Sequence, residues 1–434
     1  MKISDTEARR AIGAALRDVR VVDPHCHLDP RQPVARNLAD LLLYHHVWIE
    51  LVSAGMGQRE TNATGMPHEL VDPGIEPGER VRRALPWLPR IRTTTISMML
   101  RWLLENLYDY REELDEEGIE RLSEAVARRG READWPDRLL DAKCGIERSI
   151  SVQTTDNSLH PRILAASEAL GWINLSDGKR DSRTVLSEMD EVIGRDVRTA
   201  ADFCDVLDKI LGSLPIAELR FLGAWVPPEL TTELAREREV TGILGKAREG
   251  APLTRTETGS VSWFGLAHAL GALRATPLRT IQIIVGAEVL PPHRSVTQWS
   301  GGFAVGFARL AGQFEDFHFN MSTAAEAHGQ DIAILAKHLP NVSVAGYWWH
   351  TFYPSTIRRA LEMRLEVVPA GKIVGFFSDA YHAEWCYPKL RLVKEILGDI
   401  LADRVSRGWY TVDDALSIIQ TILNDAPRRI YGVG

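Results

Sequence analysis

The sequence has 434 residues, 45% of them apolar and 25% charged, with 51 Lys and Arg against 59 Asp and Glu for a net charge of −8. Those proportions belong to globular proteins and exclude a disordered, collagen-like or disulfide-stapled chain. The acidic balance offers no electrostatic footprint for nucleic acid, and no apolar run reaches the roughly 18 residues that span a bilayer, so a cytoplasmic enzyme acting on a small-molecule substrate is the expectation.

In chain order, Ser4 and Glu7 match a capping box ahead of Ala8, Ile12, Ala15 and Leu16 at helical spacing. This charged start lacks the apolar segment of a signal peptide. A short strand at Val21-Val22 runs into Asp23-Pro24-His25-Cys26-His27, and residues 35–52 read as a second helix. Ser53–Pro89 is rich in Gly and Pro, which predicts an irregular excursion. From Thr93 to Arg129 the pattern is helical, with Met98, Met99, Trp102, Leu103 and Leu107 as an ordinary core stripe. Residues 55–147 are therefore read as an irregular and helical insertion inside a single domain of residues 1–434. Cys26, Cys144, Cys204 and Cys386 have no paired spacing, which argues against a zinc knuckle and for a reducing compartment.

Beyond the insertion the chain alternates. Strand-like runs at Ser149–Thr154, Leu219–Val226, Thr280–Val285, Phe314–Asn320, Val342–Tyr347 and Ile373–Ser378 are interleaved with helical patterns such as Thr323–Leu339, Pro354–Val367 and Pro388–Arg407. Strands separated by helices of this length imply βαβ units and a parallel sheet. An eighth strand is placed within Ile163–Leu175. No Gly-rich phosphate loop follows the first strand, which weighs against a dinucleotide-binding fold. The predicted fold class is α/β, a distorted (β/α)8 TIM barrel with a helical insertion after the first strand. Reactive groups in that fold sit at the C-terminal ends of the strands.

The first strand ends in His25 and His27, two residues apart and so on one face of an extended chain. Paired imidazoles at a barrel mouth suit a divalent metal such as zinc. The last strand delivers Asp379, and in a barrel the first and last strands are neighbours; the alternative use of Asp379 is to cap the following helix. Trp348 and Trp349 end the seventh strand, either lining a substrate pocket or packing alone. His318, at the end of the sixth, and His350 are candidate acid–base or substrate-binding groups, or buried structural histidines. His45 and His46 lie on the helix after the first strand, where two adjacent residues would not both face the pocket.

These motifs resemble the uronate isomerases of the amidohydrolase superfamily, in particular a divergent bacterial branch. Val22–Leu28 resembles the family's D-x-H-x-H-L opening, and Asp40–Tyr44 with His45-His46 its L-x-x-x-H-Y helix. Thr154-Thr155-Asp156, Gln282–Ala287, Gly346–Trp349, and Ser378-Asp379 with Tyr387-Pro388-Lys389 match further elements in the same order. The resemblance implies one divalent metal, zinc, held by His25, His27 and Asp379, and conversion of uronates to ketoacids through ring opening and an enediol. Asp379, His46, His45, Tyr381 and His350 are then the catalytic candidates, with Trp348, Trp349, Arg294 and His318 as substrate-binding ones. A homo-oligomer is a further expectation by analogy.

The sequence also departs from the family. His46 replaces an aromatic Tyr, Ile284 replaces a His, and Tyr381 stands where the family carries Arg. A second family Arg near the third strand has no counterpart around Ile163–Asp177, leaving Arg294 and Arg162 as stand-ins. Guanidinium pairs bidentately with carboxylate, and each such charge-assisted bond contributes roughly 1.5–3 kcal/mol. The metal half of the site thus looks kept and the carboxylate half rebuilt. An alternative reading is a metal-dependent hydrolase or carbon–carbon lyase; a third is a barrel that binds without turnover.

Overall fold

In the computed structural model, which describes residues 5–63, 74–176, 180–230, 233–290 and 294–434, β1 (Val21–Cys26) is buried at every position. A strand buried on both faces needs cover on both, the condition that parallel sheets with crossover helices meet. β2 (Ile146–Ser151) and β3 (Ile163–Ala165) complete a parallel sheet in the order β1-β2-β3. β4 (Leu222–Val226) and β5 (Thr280–Val285) begin a second sheet, and β6 (Ala287–Leu290) with β7 (Arg294–Thr297) forms an antiparallel hairpin directly beyond β5. β8 (His318–Thr323), β9 (Val342–Ala345) and β10 (Ile373–Val374) extend the second sheet, whose parallel order is β10-β9-β8-β5-β4. The expected eighth strand is β3.

The two sheets meet at both edges through isolated contacts. Ser167 bridges Leu222 on one side. On the other, the Asp379 N–H donates to the His25 carbonyl (3.0 Å) and the His27 N–H to the Ala380 carbonyl (2.8 Å). Among the described residues no ladder joins them into one closed ring, so the architecture shown is mixed α/β with two parallel sheets.

Three expectations about elements are corrected. The last strand, expected over Ile373–Ser378, pairs only at Ile373–Val374, because the Gly375 N–H donates to the Ile422 carbonyl and the Ser378 N–H to the Asp23 carboxylate (both 2.8 Å). The sixth strand, expected over Phe314–Asn320, starts at His318. Phe314 and Phe317 instead close the end of helix Phe303–Gln313, their N–H groups donating to Leu310 and Phe314 carbonyls. His318 therefore opens its strand rather than ending it. The helix expected over 35–52 is two helices, Leu38–Leu42 and His45–Ser53, broken where Tyr44 turns out of helical conformation (φ −45, ψ 137). Ser4 of the expected capping box lies outside the described residues, as does part of the excursion.

Helices fill the interval between β1 and β2, among them Pro77–Ala84, Thr95–Tyr108 and Glu116–Arg129. One buried carboxylate ties this layer to helix Ala383–Ser406. Glu384 accepts from the Ala35 N–H (3.1 Å), the Trp135 indole (3.1 Å) and the Tyr108 hydroxyl (3.2 Å).

Candidate metal centre and active-site cavity

Extended backbone at the end of β1 sets His25 and His27 on the same side. Their Nε2 atoms lie 3.4 and 3.2 Å from one oxygen of Asp379, Oδ1. One ligand atom from each of the three residues falls within 4.8 Å of the others. Two imidazole nitrogens and a carboxylate oxygen converging in this way form a donor set suited to a divalent cation.

The backbone around Asp379 is held from several directions. Asp379 has φ +48, in the left-handed region that non-glycine residues enter at a cost. Its carbonyl accepts from the Tyr44 hydroxyl (3.0 Å) and from Lys389 Nζ (3.3 Å), and Lys389 also reaches the Ser378 carbonyl (2.7 Å). The buried Asp23 carboxylate accepts from the Ser378 N–H (2.8 Å) and the Ser378 hydroxyl (2.6 Å). Asp23 of the D-x-H-x-H motif thus clamps the closing segment against the opening one. The break at Tyr44 serves the same end, since it carries the hydroxyl to Asp379.

Burial alone would raise the Asp379 carboxyl, but hydrogen bonds and charge from His25 and His27 outweigh it and hold the group well below the usual carboxylate range. Burial pushes His25 down, and the hydrogen bond and charge of Asp379 overcome it, leaving His25 raised. Asp23 is pushed up to about 6 by burial, against the opposing bonds from Ser378.

His25, His27 and Asp379 line a cavity of about 580 Å³. His45, His46 and Tyr381 line it too. Both histidines reach it, contrary to expectation, because the break at Tyr44 makes them the first residues of a helix rather than neighbours in the middle of one. Tyr381 lies flat on His27, with ring centroids 4.5 Å apart and planes 7° from parallel. Burial lowers His46 well below its ordinary value, so it is neutral at neutral pH. Trp348 and Trp349 also face the cavity, and Trp225 meets them edge-on at 5.0 and 6.1 Å. The left-handed backbone of Trp349 (φ +47) sets that corner.

Other expected residues are placed elsewhere. His350 is not among the cavity's lining residues; it stacks on Trp349 at 5.0 Å and bonds the Ser295 hydroxyl at 2.9 Å. His318 is at the opposite, N-terminal end of its strand, bonded to the Ser343 hydroxyl at 2.8 Å. Arg162 precedes β3 and pairs with Asp137 and Asp141, both at 2.7 Å, away from the cavity. The Arg294 side chain lies outside the described residues. Sequence reasoning passed over Glu168, Trp172, Arg180, Arg255 and Glu288, all of which line the cavity. Arg255 pairs with Glu288 (2.5 Å) and Arg180 with Glu188. Arg180 lies just beyond the interval Ile163–Asp177.

The uronate isomerase from Thermotoga maritima superposes with a TM-score of 0.76 at 17% identity, covering 99% of this chain and 100% of that one. The glucuronate isomerase from Caulobacter crescentus gives 0.78 at 17% identity, with coverage of 99% and 94%. The fold is that of the uronate isomerases. A uronate isomerase from Bacillus halodurans gives 0.73 at 15% identity, covering 100% of this chain and 98% of that one. No protein-family model and no curated protein matches the sequence. The likeness to uronate isomerases is therefore one of three-dimensional form along nearly the whole chain.

Proposed function

We propose that this protein is a metal-dependent aldose–ketose isomerase acting on a sugar acid or a related modified sugar, built on a distorted (β/α)8 barrel. The observation that carries this reading is the convergence of His25, His27 and Asp379 inside a cavity of the uronate isomerase fold. These residues would hold one divalent cation, zinc by its preference for nitrogen donors. When bound, the metal would supply Lewis-acid polarisation of the substrate oxygens. Oδ1 of Asp379 faces both imidazoles, leaving its second oxygen to take the C2 proton as the enediol forms. Asp379 then returns that proton at C1, and His46, neutral and in the same cavity, would pass the hydroxyl proton from O2 to O1, with His45 beside it. Tyr381 holds the His27 ring in place by stacking. Trp348 and Trp349 would cover one side of the sugar, and Arg180 and Arg255 would meet an acidic group by exchanging their present glutamate partners for it.

Hydrolysis or carbon–carbon lysis by the same three ligands is the second reading. It is favoured by the pairing of both cavity arginines with glutamates, which engages the groups a uronate would need. One assay separates the two. The zinc-loaded protein is incubated with a panel of uronates and neutral aldoses, none holding a hydrolysable bond, and ketose formation is followed. Ketose from any member supports isomerisation, whereas none across the panel, with zinc bound, overturns it.

A further inference from the structure

Behind His25 a single file of buried polar groups crosses the interior of the second sheet. His25 Nδ1 lies 2.6 Å from Gln282 Oε1, and Gln282 Nε2 donates to the Tyr431 hydroxyl at 2.9 Å. That hydroxyl donates to Asn320 Oδ1 at 2.6 Å, and Asn320 Nδ2 donates to the Ser343 hydroxyl at 2.7 Å. Ser343 in turn is 2.8 Å from His318 Nε2. Gln282, Asn320 and Ser343 come from adjacent strands β5, β8 and β9, and Tyr431 from the C-terminal helix Ala426–Tyr431. Gln282, Asn320, Ser343 and Tyr431 are all at most 2% exposed. Buried polar groups outside the reacting cavity are costly unless each is satisfied, and here every link has a partner.

The order of donors matters. An amide offers an acceptor on one side and donors on the other, so the file can run in only two coherent senses. In one, the His25 Nδ1–H donates to Gln282 and each group donates onward until the Ser343 hydroxyl donates to His318 Nε2. In the other, every bond reverses and His25 Nδ1 becomes an acceptor. Only the first leaves His25 Nε2, the atom facing Asp379, with a free lone pair. Burial lowers His318 to about 4, so at neutral pH it is uncharged and able to accept.

We propose that Gln282, Tyr431, Asn320, Ser343 and His318 form a positioning relay that fixes the His25 tautomer from the far end of the strands, presenting its Nε2 lone pair to the metal position. Gln282 is the positioning residue in contact, and the others act through it. The zinc part of this proposal rests on the function proposed above; the tautomer part does not. Partners that orient a ligating imidazole typically change metal affinity by 10–100-fold.

Histidine-selective 15N NMR on the metal-free protein reads the tautomers directly, with His25 assigned by loss of its signals in His25→Gln. The expected result is a proton on Nδ1 of both His25 and His318. A His25 Nδ1 without a proton in the wild type overturns the proposal, with no variant needed. Zinc affinity by chelator competition is then compared across Tyr431→Phe, Gln282→Met and Gln282→Glu. The expected pattern is about 10-fold weaker binding in the first two and recovery in Gln282→Glu, whose carboxylate still accepts from Nδ1. A merely structural role lowers thermal stability while leaving tautomer and affinity unchanged, and that outcome also overturns the proposal. If the wild type binds no zinc, the proposed function fails, and the tautomer measurement still decides the relay.

Discussion

At the scale of single residues, the centre is governed by the competition at Asp379 between burial and two imidazoles. Replacing it by Asn preserves shape and removes the charge. Asp379→Asn should lower zinc affinity by at least the roughly 10–100-fold that loss of an outer partner causes, and abolish turnover. Metal content after dialysis checks this, and retention of a full equivalent would count against the ligand assignment. His25 and His27 were legible in the sequence because a strand repeats every two residues, and Asp379 because it ended an apolar run. Glu168, Arg180 and Arg255 were not, because they lie on loops or at a helix start, where no periodicity marks which way a side chain faces. The paired facing of His45 and His46 was hidden for a related reason: the break at Tyr44 is imposed by a tertiary hydrogen bond to Asp379.

At the scale of elements, the helical layer between β1 and β2 is fastened through Glu384. Glu384→Ala would strand three buried donors, each costing about 1–3 kcal/mol when unsatisfied. A loss of about 3 kcal/mol or more in urea denaturation is expected, and a loss under 1 kcal/mol would show the anchor to be unimportant. The start of β8 supplies a pH-dependent term. Burial first, then the charges of Arg429 and Lys372, take His318 from 6.5 to about 4. A histidine lowered on folding favours the folded state above its unfolded value, and that advantage disappears as pH falls from about 6.5 through about 4. The shift corresponds to about 3 kcal/mol. Stability should therefore fall more steeply over that window in the wild type than in His318→Gln; parallel curves would contradict the assignment. The sequence misplaced this strand because Phe314 and Phe317 look like strand residues, while tertiary packing uses them to close a helix.

At the scale of the whole molecule, the alternation of apolar runs and helical stretches was enough to foresee parallel strands with helices between them. Ordering those strands into two sheets was not, since it depends on which backbone groups find partners in Ile422 and Asp23 rather than in a neighbouring strand. The three converging side chains come from opposite ends of the chain, so their meeting reports on the fold as a whole. It is tested most directly by diffraction from crystals of the protein as purified, recorded on either side of the zinc absorption edge. One anomalous peak enclosed by His25 Nε2, His27 Nε2 and the Asp379 carboxylate is the expected result. Fully ordered side chains with no peak between them, or a metal held only elsewhere, would contradict it.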